Sequence, residues 1–143
     1  MNADLYPDKQ LMRYRAVSIG LAVFAFCIGG AALLGWILEN PYLKRIHPSL
    51  VTMKANTAVC LMLVGVSCML INDRSPSHIK RGLIKLFAAL VALVGLITLS
   101  EHIVGWNTGL DQLLFHESAA EAGLSFPGRM GVAASLNFTF LGI

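Results

Sequence analysis

Charge is what this sequence has least of. Asp, Glu, Lys and Arg make up 13% of its 143 residues, against about 25% in soluble domains. Apolar residues make up 56% and mean hydropathy is +0.68. A soluble fold needs charge to cover its outside, so the shortage argues for a membrane setting. Cysteine is scarce as well. Cys27, Cys60 and Cys68 all sit in apolar runs, without CxxC spacing and without a neighbouring His or carboxylate. That pattern excludes a spaced metal site and leaves three small apolar side chains. No nucleophile–base pair, phosphate-binding glycine loop or metal-spaced ligand set occurs. The expectation is therefore no catalytic residue, no metal ligand, no cofactor and no enzymatic activity. The net charge of +3 does not point to nucleic acid, because no aromatics interleave with the basic residues and no nucleic-acid motif appears.

What the chain does have is long uncharged runs. Ala16 to Leu38 carries no charge over 23 residues, enough to cross a hydrocarbon layer of about 30 Å. A second run spans Ala55 to Asn72. A third, Leu86 to Ser100, crosses if Lys85 snorkels and the helix extends from about Gly82 to Ile103. The fourth begins at Met130 and reaches Ile143, a run of fourteen residues, which predicts a helix cut short and a longer native protein. The first run is too long for a signal peptide and lacks a cleavage zone, so it reads as a permanent helix. The expected fold is all-α and integral to a membrane, with about four transmembrane helices in two tandem hairpins. The expected divisions are an arm over 1–15, a first hairpin over 16–72, a basic loop over 73–85 and a second hairpin over 86–143. Lys9, Arg13, Arg15, Arg74, Lys80, Arg81 and Lys85 fall on one side; Lys44, Arg45, Lys54 and Arg129 fall on the other. The bias places the N-terminus, the arm and the 73–85 loop in the cytoplasm.

The halves also match each other. A shift of 70 lays Arg15 on Lys85 and Gly35-Trp36 on Gly105-Trp106; a shift of 77 lays Met53 on Met130, Ala58 on Ser135 and Gly65 on Gly142. Each unit reads helix, Gly-Trp, short amphipathic piece, Pro, Met, helix, which predicts a parallel repeat about the membrane normal. In the first unit Asn40-Pro41 suits an N-cap and N1 pair, and Tyr42, Leu43 and Ile46 make one apolar face before Pro48. In the second, Leu110, Leu113 and Leu114 follow Asn107-Thr108-Gly109. Both pieces suit short amphipathic helices on the outer surface. Trp36 and Trp106 are placed at the same headgroup depth.

Polar candidates are few. Glu101-His102, at the end of the third run, reads as a helix-end pair facing headgroups, with haem or metal ligation by His102 the rival reading. Trp36, Glu101, His102 and Trp106 are thus the candidate polar or interfacial contacts. Asp111, Glu117 and Glu121 read as a solvated acidic loop. Asn56, Thr57 and Asn137 are expected to hydrogen-bond between helices, and Gly20, Gly29, Gly30, Gly65 and Gly95 to let helices approach closely.

Four segments carry a family likeness: Met53-Lys54-Ala55-Asn56-Thr57-Ala58, Glu101-His102-Ile103-Val104-Gly105-Trp106, Gly109-Leu110-Asp111-Gln112-Leu113-Leu114-Phe115 and Pro127-Gly128-Arg129-Met130. Together they resemble the N-terminal multi-helix membrane sensor region of bacterial PAS-containing sensor histidine kinases and diguanylate cyclases. The chain departs from that pattern where Ala133-Ala134-Ser135 replaces an Asn-Thr-Ala helix start. It also has no phospho-acceptor His box, nucleotide-binding motif or cyclase signature. The resemblance implies a non-catalytic input module for signal transduction, multi-pass in the bacterial inner membrane, that couples helix packing to a cytoplasmic effector. The alternative is an accessory structural subunit of a larger respiratory, photosynthetic or transport complex. Either way the expected partners are the lipid bilayer and other membrane helices, through self-association or a larger complex.

Overall fold

The computed structural model describes residues 5–44, 52–73, 75, 77–116 and 126–143. Its regular elements are all helical: α1 (Leu5–Ile37), α2 (Pro41–Lys44), α3 (Ala55–Ile71), α4 (His78–Val104), a 3-10 turn (Leu110–Gln112) and α5 (Val132–Leu141). Lys9–Ile37 and His78–Val104 are long and apolar enough to cross a membrane. The other two are shorter, with 17 residues in α3 and ten in α5. At 1.5 Å per residue these reach about 26 and 15 Å, less than the hydrocarbon layer. On length alone the four expected spans become two, each with a shorter apolar helix beside it.

The boundaries shift in two places. Helix α1 starts at Leu5, so most of the expected arm is its first three turns. Helix α4 starts at His78, taking up the last part of the expected basic loop. The cause is local: the Ser77 hydroxyl accepts the Lys80 N–H at 3.3 Å, a side-chain cap on an otherwise unsatisfied donor. The following Lys and Arg residues are good helix formers. The Asn40-Pro41 expectation holds, since Asn40 Oδ1 accepts the Tyr42 N–H at 2.9 Å and Pro41 opens α2.

Two antiparallel hairpins result, α1 with α3 and α4 with α5, joined mainly where α3 meets α4. Glycine sets the distance in both. A Cβ on Gly29 would stand 2.6 Å from the Ala58 carbonyl oxygen, and one on Gly95 would stand 2.8 Å from that of Ser135. Gly65 is equally close to α1. Gly20 and Gly30 do not share this role, because a Cβ on either meets nothing within 4 Å. They lie on the outward side of α1.

The packed helix faces bury mostly small and hydroxyl side chains, with Trp36, Met130 and Phe138 the large apolar exceptions. Cys60, Val91, Met130 and Phe138 form a small core where α3, α4 and α5 meet. Beside it Thr98, Ser135 and Thr139 are buried. Ser135 Oγ donates to the Val132 carbonyl at 2.8 Å and Thr139 Oγ1 to that of Ser135 at 2.8 Å, so these two hydroxyls satisfy themselves on their own helix, whereas Thr98 Oγ1 has no hydrogen-bond partner among the described residues. The large apolar side chains Leu21, Phe24, Leu34, Leu86, Leu93 and Leu96 point outward. Asn137, expected between helices, is exposed instead.

The bundle has two unlike ends. At one, Arg15 donates to the Asn72 carbonyl, Asn72 Nδ2 donates to Ser18 Oγ at 2.9 Å, and Lys80 pairs with Asp73. The other end gathers the C-termini of α1 and α4, α2, the 3-10 turn and the starts of α3 and α5.

Candidate functional site

The second end holds most of the buried charge. Helix α4 stops at Gly105, whose φ of 78° is left-handed and whose N–H caps the Glu101 carbonyl at 3.0 Å. Glycine reaches that conformation without the Cβ penalty other residues meet. The reversal brings Thr108 back onto the Glu101 side chain. Glu101 Oε1 accepts the Thr108 N–H at 2.8 Å and its hydroxyl at 2.5 Å. Glu101 is fully buried, not turned to headgroups as expected for a helix-end pair.

An Asn107 side chain that accepts the Gly109 N–H at 3.0 Å shapes the next turn. The 3-10 turn then directs Asp111 inward, where it is 7% exposed. The solvated-loop expectation therefore fails for Asp111, because the turn delivers it to two partners. Arg129 Nε donates to Asp111 Oδ2 at 2.9 Å, and Asn56 Nδ2 donates to Asp111 Oδ1 at 3.2 Å. The expected interhelical bond of Asn56 is thus made to this turn. Glu117 and Glu121 lie outside the described residues, as do Ile46 and Pro48. Gly128 allows the approach: its φ is 78°, and a Cβ there would stand 2.5 Å from the Asp111 carbonyl oxygen.

Arg129 is the hub, with its side chain 4% exposed. Besides Asp111 it faces Glu101 Oε2 at 3.5 Å, an oxygen with no hydrogen bond of its own. Its Nη2 donates to the Trp106 carbonyl at 3.0 Å, and the guanidinium lies 4.0 Å from the centre of the Phe126 ring. Two carboxylates thus share one guanidinium out of water. Burial pushes the Asp111 carboxyl above the usual aspartate range, and the neighbouring Glu101 charge adds to this. The Arg129 contact pulls the other way without prevailing.

The remaining candidates surround this cluster. His102 Nε2 lies 2.9 Å from the Met130 carbonyl oxygen. A carbonyl can only accept, so that nitrogen carries the proton and is turned away from metal or haem ligation. Among the described residues no group of three His, Cys, Asp or Glu side chains is placed to hold a metal ion. Trp36 and Trp106 share this end but not an environment. Trp36 is buried; its Nε1 donates to the Met53 carbonyl at 2.9 Å, with Lys44 Nζ 4.2 Å over the ring and Phe115 5.6 Å away. Trp106 is half exposed, and its Nε1 donates to Ser100 Oγ at 3.3 Å.

A groove of about 770 Å³ adjoins the cluster between the starts of α3 and α5, and Lys54, His102 and Arg129 line its polar part. Sequence reasoning missed Asn56, Thr108, Asp111 and Arg129 as one unit. A usable signal was present: each of the four resemblance-bearing segments contributes one of Asn56, Glu101, Asp111 and Arg129. Compared with protein-family models, curated proteins and solved structures, the chain matches none.

Proposed function

We propose that this chain is a non-catalytic input module of the bacterial inner membrane, with a cytoplasmic N-terminus, that couples helix packing to a cytoplasmic effector. The observation that carries the reading is the buried Glu101–Arg129–Asp111–Asn56 cluster. It ties the loop of the second hairpin to the first helix turn of α3, in the first hairpin, through the Asn56–Asp111 bond. A buried ion pair is costly to desolvate and strongly destabilising to break. Such a group suits a contact with two discrete states better than it suits a plain structural seam.

A membrane setting is supported by the outward placement of large apolar side chains and the inward placement of small and hydroxyl ones, as membrane helices pack. The short helices α3 and α5 then complete four membrane segments, with local bilayer thinning and snorkelling flanking residues absorbing the mismatch. The duplication draws support from the glycines. Gly65 nests on Ala22 and Phe26 of α1, and its offset partner Gly142 nests on Ala88 and Ala92 of α4. The second contact lies one helix turn earlier than a strict offset of 70 would place it.

The test has two parts. In a cysteine-free background, a membrane-impermeant maleimide added outside should label a cysteine at Ser118 and spare one at Ser77; the reverse pattern overturns the orientation. In the native protein, Asp111→Asn should shift the output of the attached effector. A native reading frame that stops soon after Ile143 defeats the input-module reading. It would favour the accessory subunit, whose partner helices would cover the exposed apolar face of α1 and whose stoichiometry in a purified complex would be fixed.

A further inference from the structure

The groove beside the cluster has a chemistry of its own. Met53, Thr57, Phe126, Met130 and Val132 form much of its wall. Among the described residues the ionisable ones on it are Lys54, His102 and Arg129; neither Glu101 nor Asp111 lines it. The described part of the wall thus carries two cations and an imidazole. Arg129 has five N–H donors. Nε serves Asp111 and Nη2 serves the Trp106 carbonyl, whereas Nη1 carries no hydrogen bond to a described residue. Arg129 lines the groove, so an acceptor that enters there can take the donor that no described residue uses.

We infer that the groove binds a single-chain amphiphilic carboxylate, a long-chain fatty acid in kind, with its head on Arg129 Nη1 and its chain along the apolar wall. The volume falls within the roughly 300–1,000 Å³ of small-molecule sites, and a carboxylate matches the planar guanidinium. Trp36, at the same end, is the kind of residue found where acyl chains meet headgroups, so the head would lie at its natural depth. The inference deepens the input-module reading by naming a ligand class, and it rests on that reading for the bilayer as the ligand's source.

The experiment is photo-crosslinking of a diazirine-bearing palmitate to the protein in phosphatidylcholine nanodiscs, with peptide mapping. Label should concentrate on residues 53–57 and 126–134, and oleate should displace it while oleyl alcohol does not. Arg129→Lys should weaken displacement by oleate about tenfold, the loss of one charge-assisted hydrogen bond. Because Arg129 also holds the cluster, Val132→Trp provides the second variant. Val132 is half exposed and lines the groove, whereas Asp111 and Glu101 do not, so an indole there should fill the groove and abolish labelling. Label spread evenly over the outward faces of α1 and α4 overturns the site. Equal displacement by oleyl alcohol overturns the carboxylate, and loss of label on adding phosphatidylglycerol overturns the single-chain ligand. Effector output separates the two readings: an empty groove with output intact sinks this inference alone, and a filled groove with no effector sinks the input module alone.

Discussion

The two ends of the bundle use the same kinds of residue under opposite conditions. Lys80 and Asp73 form an ion pair with side chains 42% and 34% exposed. Arg129 and Asp111 form one with side chains 4% and 3% exposed. The first pair is screened by water and fixes a long lysine side chain in one geometry, so it contributes little to stability. The second sits out of water with a further carboxylate, an amide and a backbone carbonyl around it. There the position of each partner matters, because any one left alone is a buried charge without compensation. An ion pair is thus no unit of stability in itself; its surroundings decide what it does.

The largest effect should come from removing the hub. Arg129→Met leaves Glu101 and Asp111 buried together and should cost about 3–5 kcal/mol in reversible unfolding from detergent or bilayer. A loss below about 1 kcal/mol would mean that the second end is no different from the first. Asn56→Ala should come next, at about 1.5–3 kcal/mol, since it removes a hydrogen bond to a charged group. Pairing it with Arg129→Met in a double-mutant cycle should show strong coupling, because both act on Asp111. Between the ends, Gly29→Ala should cost about 1–3 kcal/mol by forcing α1 and α3 apart. Gly30→Ala, on the open side, should be neutral or stabilise by up to about 1 kcal/mol. Lys80→Ala should change stability by less than about 1 kcal/mol.

The smallest effect is in pH dependence. Folding raises the Asp111 carboxyl, so the folded protein holds this proton more tightly than the unfolded chain does. Its contribution to stability is full below the ordinary aspartate value of about 3.9 and is lost as pH rises through the raised value. The stability of the wild type relative to Asp111→Asn should therefore increase as pH falls through that window. A flat difference would show that Arg129 fully offsets the burial.

Much of the architecture was legible along the chain. Helix class, hairpin order and the Asn40-Pro41 start follow from interactions between residues a few positions apart, which composition, periodicity and capping rules describe. Gly29, Gly65 and Gly95 were legible as contact glycines, whereas Gly20 and Gly30 were not separable from them. A glycine's helix face has meaning only once a neighbouring helix has chosen its side. The starts of α1 and α4 were read late because charge was taken to end a helix. Basic side chains in fact extend one readily when the backbone is capped.

By itself the sequence determined that this chain is helical and that its first run, Ala16–Leu38, and its third, extended to about Gly82–Ile103, are long enough to cross a membrane. Those properties depend on the side chains of one segment at a time. Only the tertiary structure decided that Glu101, Asp111 and Arg129 are buried rather than solvated. Asp111 meets Arg129 across 18 residues and Asn56 across 55, through turns set at Gly105, Gly109 and Gly128. A charged residue near a helix end is tolerable in water or in a satisfied cluster. The choice between them is made by partners that no local pattern brings together.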